Sequence, residues 1–172
     1  MPNNVQCEIV FSSISEEQKN NIISKISEDG KNIDFGILLP IPLNLWWGNV
    51  GGIHEKTFPG TALGWRTKNW GTKWNAYQCN IISSEAGILT LQFQTAWTPP
   101  YGWIVAVFNF FEIPFSMLWL SEGGSRSRFD EFEKSDSLSG EEWRSSDATG
   151  EQQKHIHKLL WGVEKFEDEE EE

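Results

Sequence analysis

Residues 75–95, NAYQCNIISSEAGILTLQFQT, decide the architecture. The segment reads as a strand from Asn75 to Ile82, a turn over SSEAG at 83–87, and a return strand. In the return strand Leu89, Leu91, Phe93 and Thr95 alternate with Thr90, Gln92 and Gln94, the period of two that buries one face of a sheet. A two-stranded hairpin cannot stand alone in water, so its apolar face requires further strands and helices from either side.

Upstream, Val5, Cys7, Ile9 and Phe11 alternate with Gln6 and Glu8 as a second half-buried strand. Ser15 followed by Glu16, Glu17 and Gln18 is an N-cap with acids in the first turn, and Ile22, Ile23 and Ile26 continue at helical spacing towards Gly30. Residues 31–60 hold LLPIPLNLWWGNVGGIHEKTFPG, too broken by Pro and Gly for a long element and too apolar for a linker. An ordered insert is expected, with at least one of Trp46 and Trp47 at the surface because neighbours in extended chain face opposite ways. Thr61 to Lys68 suits a short helix closed by Gly71.

Downstream, Pro99-Pro100 starts a helix with Ile104, Val107, Phe108 and Phe111 on one side, and Phe115, Met117 and Trp119 alternate as another strand. The order β-α-(insert, α)-β-β-α-β defines a ferredoxin-like split βαβ sandwich, an α+β fold with an antiparallel sheet. This domain is expected over 1–123. Residues 124–172 read as an acidic extension: a mobile or weakly paired stretch to 150, in which RFDEFE at 128–133 can add an edge strand, then a helix over 152–163 and a disordered acidic end.

Composition narrows the function. The 172 residues include ten Trp and eleven Phe but two Tyr and two Met, and carry a net charge of −11. Nine acids face seven bases over 1–121, against sixteen and seven over 122–172, so the extension is the anion. General nucleic-acid binding, which needs a basic footprint, is excluded on this balance. The longest apolar run, Trp103 to Phe111, falls well short of the roughly 20 residues of a membrane span. MPNNVQCEIV has no signal-peptide character, and Cys7 and Cys79 form no disulfide framework, so a cytoplasmic protein with two buried, inert thiols is expected.

The remaining signal is NWGTKWNAY at 69–77. If SSEAG centres the turn, Asn75 lies opposite Thr95, Trp74 near Ala96 and Lys73 near Trp97. Trp65 and Arg66 enter the same corner from the preceding helix. The gathered set is Trp65, Arg66, Asn69, Trp70, Thr72, Lys73, Trp74, Asn75 and Trp97. Two readings stand: a structural corner with aromatic anchors, or a ligand pocket in which indole faces stack a base, Lys73 and Arg66 neutralise phosphate, and Asn75 and Thr72 meet base edges or ribose.

NWGTKWNA, the hairpin after it and LQFQTAWTPP at 91–100 together resemble the YubB-like ferredoxin-like family, over about residues 1–121. The resemblance implies the fold and a setting on phages, plasmids and other mobile elements; it implies no catalytic residues. The functional expectation is a non-enzymatic counter-defence protein that sequesters a cyclic nucleotide or ADP-ribose-type signal. One alternative is an inhibitor whose acidic extension, with Phe129, Phe132, Trp143, Trp161 and Phe166, occupies a basic host protein by nucleic-acid mimicry. Another is a phosphodiesterase or nuclease built on His54 with Asp34 or Glu55. No cofactor, metal site or catalytic residue is expected: His155 and His157 point about 200° apart on a helix and cannot easily share one metal.

Overall fold

The computed structural model describes residues 3–47, 57, 60–84, 86–124, 127–134 and 141–162. Six strands, β1 (Asn4–Phe11), β2 (Tyr77–Ser84), β3 (Ile88–Ala96), β4 (Phe115–Ser121), β5 (Arg128–Lys134) and β6 (Glu141–Asp147), form one sheet in the order β2-β3-β1-β4-β5-β6. Every neighbouring pair is antiparallel. The first four strands, with α1 (Glu16–Ile26) and α4 (Tyr101–Phe111) as crossovers, are the ferredoxin-like βαββαβ unit. The short helices α2 (Phe35–Leu38) and α3 (Ala62–Asn69) belong to the connection between α1 and β2.

Local chemistry accounts for the element ends. Ser15 and Gln18 form a reciprocal capping box on α1, satisfying two helix-terminal N–H groups. Thr61 Oγ1 accepts from Gly64 N to start α3, and Gly71, at φ +86°, takes the left-handed turn that follows. The alternating residues Val5, Cys7, Ile9 and Phe11 meet Ile22 and Ile26 of α1 and Trp103, Ile104 and Val107 of α4 in the main core. Phe35 sits at its centre, against Trp70, Phe93 and Trp103.

Two sequence expectations are corrected. First, residues 124–150 are not weakly paired throughout. β5 pairs along β4 from Arg128 to Phe132, and β6 along the whole of β5. Phe132 is buried and stacks on Phe115 and Trp143, which gives the pairing its apolar contribution. The final helix, α5 (Gly150–Trp161), begins two residues before the expected start, at a Thr149–Gln152 capping box. It covers the second face of the sheet, where Ile156 packs on Leu118 and Leu120 in a separate small core. The two strands therefore continue the sheet of residues 1–123 and the helix packs on it; the acidic run at 167–172 lies outside the described residues.

Second, the hairpin turn is centred on Ala86. Ser84 pairs with Ile88 and Asn80 with Gln92, with an irregularity between Tyr77 and Asn80 where Gln78 adopts φ +49°. Gly87, at φ +74°, closes the turn, and its carbonyl accepts from Ile14 N. β2 starts at Tyr77, which pairs with Gln94, so Asn75 precedes the strand and does not pair with Thr95.

Candidate functional site

The insert packs against the corner formed by α3 and the NWGTKWN turn, leaving a cleft of about 490 Å³. Trp70, Arg66 and Asn75 line it together with Asp34, Ile37 and Trp47. Trp70 is buried, its Nε1 donating to Leu39 O at 2.9 Å and its ring meeting Phe35 and Trp65 edge-on. Asn75 acts as a clamp. Its Oδ1 accepts from Phe35 N and Ala76 N, while its Nδ2 donates to Asp34 Oδ1 at 2.8 Å. The same Asp34 oxygen caps α2 by accepting from Gly36 N. The wall is thus tied together by groups that are already satisfied.

Arg66 is the exception. Its Nε is buried with no hydrogen-bond partner, and desolvation lowers the pKa of the guanidinium. An arginine stays charged under such shifts, so an unmet donor and a positive charge sit at the cleft. Trp47, which lines the same cleft, is 58% exposed. The guanidinium can hold the anionic group of a planar ligand lying on the aromatic face, while the carboxylates of Glu28 and Asp34 can only accept from that ligand's hydrogen-bond donors.

The other predicted residues are elsewhere. Trp65 packs on the core beside Trp70. Asn69 donates to Trp65 O within the last turn of α3, and Thr72 is buried, donating to Ala96 O at 2.8 Å. These are structural contacts. Lys73 Nζ lies 5.4 Å from the Trp74 ring centre, and Trp74 and Trp97 are both exposed, outside the cleft lining. Trp97 has φ +75°, with its N–H donating to Asn3 O. The structure therefore joins Arg66, Trp70 and Asn75 and leaves Lys73, Trp74 and Trp97 apart from them. Residues missed by the sequence reading are Asp34, weighed only as a catalytic carboxylate, and Trp47, noted only as half of a surface pair.

A second polar constellation crosses the opposite face of the sheet. Asn80 Nδ2 donates to Gln92 Oε1, Gln92 Nε2 donates to Glu8 Oε2 at 2.7 Å, and His155 Nε2 lies 2.9 Å from both Glu8 oxygens. No sequence signal marked it, because Glu8 reads as the solvent side of β1 until α5 is placed over it. His157 instead rests on Trp161, at 4.6 Å between ring centres. His54 and Glu55 lie outside the described residues. Among the described residues no group of three or more His, Cys, Asp or Glu converges to hold a metal ion, and no helix is long and apolar enough to cross a membrane. Cys7 is fully buried and burial pushes its thiol pKa up, but Cys79 is only half-buried, which corrects the expectation of two buried thiols.

A ferredoxin-like α+β domain with a sheet prolonged by two strands and helices on both faces is the class these features define. The chain belongs to the family described as the ferredoxin-like domain in Api92-like protein, whose model matches residues 73–160. That match runs from the NWGTKWN corner to α5, so β5, β6 and α5 fall within the family's domain. No curated protein and no solved structure matches this chain.

Proposed function

We propose that the protein binds, without turnover, a small nucleotide-type ligand in the insert cleft, with Arg66 on the anionic group and Trp47 on the base. The observation that carries this is the buried, unpartnered Nε of Arg66 beside an exposed indole in a cleft of about 490 Å³. Cavities of about 300–1,000 Å³ are the usual size for small-molecule sites. A stacked base contributes roughly 1–3 kcal/mol, and a hydrogen bond to a charged group about 1.5–3 kcal/mol. One cation suffices for such a ligand, in keeping with a domain that has no broad basic surface. Asp34 lines the cleft with its Oδ1 committed to Gly36 and Asn75, and its second oxygen is the acceptor for a donor such as an exocyclic amine or a ribose hydroxyl. The YubB-like resemblance of NWGTKWNA and LQFQTAWTPP supports a mobile-element setting. In that setting the ligand class is a cyclic nucleotide or ADP-ribose-type immune signal, sequestered in the host cytoplasm.

The test is to incubate the full chain with cyclic dinucleotides and cyclic ADP-ribose isomers, filter, and heat the retained fraction. Ligand removed from the filtrate and recovered unchanged on heating is the expected result. Arg66→Gln and Trp47→Ala should each weaken retention roughly 10–100-fold, in line with the contact energies above, while the fold is kept. Trp74→Ala should have no effect. Passage of every compound rejects this ligand class, and recovery of an altered product replaces binding by the phosphodiesterase reading.

A further inference from the structure

On the face of the sheet away from the insert, α5 leaves part of the surface uncovered. Two grooves adjoin there, of about 440 and 290 Å³, sharing Val10 and Ser116. Their lining is amphipathic in a particular way. Val10, Leu118 and Phe129 make an apolar floor in the larger groove, and Glu8 and Glu151 stand along it; Glu131 and Glu133 stand along the smaller one. Among the described residues no Lys or Arg lines either groove, and His155, held on Glu8, is the one basic group in the linings. Across the β5–β6 pair, Arg144 lies opposite Glu131 outside both linings.

We propose that these joined grooves receive an extended lysine- or arginine-bearing segment of a partner protein. Long basic side chains lay apolar stems on apolar surface while their charged heads reach polar groups, which fits a floor of Val, Leu and Phe edged by carboxylates. Glu8 adds to the complementarity. It is only 8% exposed, and among the described residues its hydrogen bonds come from a neutral amide and an imidazole, with no Lys or Arg ion pair. A carboxylate held this far from water projects a field that bulk solvent screens little. The chain's net charge of −11 favours encounter with a cationic partner. A small amine would use the charges but leave the apolar floor bare. A nucleic acid is repelled by every carboxylate along the run. The surface is separate from the insert cleft, and neither proposal depends on the other.

The experiment measures fluorescence anisotropy of a labelled (Arg-Ala)₄ peptide with the full chain, beside its (Gln-Ala)₄ analogue. Saturable binding of the arginine peptide alone, falling steeply with salt, is expected. Glu131→Gln, Glu133→Gln and Glu151→Gln together should weaken it roughly tenfold, since exposed ion pairs contribute about 0.2–1 kcal/mol each. All three side chains are exposed, so the melting temperature should stay within a few degrees of the parent. Neutralising the acids of 167–172 in the full chain should leave groove binding intact. The proposal is overturned if the peptide does not bind, if only the 167–172 variant loses binding, or if spermine competes on equal terms with the peptide.

Discussion

Asn75 is where one side chain holds two segments together. Its Oδ1 takes two backbone donors and its Nδ2 fixes Asp34, so the entry to α2 and the entry to β2 share a single amide. Asn75→Ala should cost about 1–3 kcal/mol in urea unfolding, the penalty for leaving partly buried donors unmet. Gly102 is more restrictive. A Cβ there would stand 2.0 Å from the Asn69 carbonyl oxygen, so Gly102→Ala should destabilise by about 3 kcal/mol or more through overpacking of α4 on the end of α3. Tyr101 supplies a pH dependence. Burial, and then its hydrogen bond to Asp130, raise its pKa above the ordinary value, and Tyr77 is raised too, first by burial. The folded state keeps these protons longer than the unfolded chain does. Their contribution to stability is therefore whole below about pH 10 and declines as pH rises beyond it. Tyrosinate absorbance at about pH 10 should be much weaker in the folded protein than in urea, and Tyr101→Phe should make the alkaline loss of stability shallower.

At the scale of elements, α5 shows how a helix becomes part of a domain. Its reciprocal Thr149–Gln152 cap sets where it starts, and Ile156 on Leu118 and Leu120 sets where it lies. Removing each should have a different size of effect. Thr149→Ala should lower stability by about 1 kcal/mol through loss of the cap. Ile156→Ala should cost about 2–5 kcal/mol, because it opens a cavity under a helix that seals the sheet's second face. Thermal unfolding followed by circular dichroism distinguishes the two, and an Ile156→Ala variant that melts like the parent would mean that α5 is not packed there. These elements were unequally legible. The Ser15 cap and the β1 alternation announced themselves because their causes are local. β5 was legible only as an edge strand that RFDEFE could add, and β6 not at all, since RFDEFEK and EEWRSSD owe their pairing to Phe132 stacking between Phe115 and Trp143.

For the whole molecule, the arrangement separates two surfaces by the thickness of the sheet. One side carries both crossover helices, the aromatic core around Phe35 and the insert cleft; the other carries α5 and the acid-edged grooves. Because all six strands are one sheet, the segment after residue 123 should not unfold separately. Indole fluorescence and far-ultraviolet circular dichroism should therefore report coincident urea transitions, as expected of cooperative folding in a chain of this size.

The sequence by itself determined the βαββαβ order, the capped start of α1 and the division between apolar and solvent faces of β1, β3 and β4. Those features follow from spacing and from hydrogen bonds a few residues long. It also marked Arg66, Trp70 and Asn75, but only as members of a larger set. Which members met was decided by the tertiary structure. The hairpin centred on Ala86, β2 began at Tyr77, and α2 presented Asp34 to Asn75, drawing that residue towards the insert while Trp74 and Trp97 stayed exposed. Glu8 changed meaning in the same way, from a solvent-facing residue of β1 to a nearly buried carboxylate held by Gln92 and His155. Periodicity says which side a residue takes; what covers that side depends on contacts between residues as far apart as Glu8 and His155.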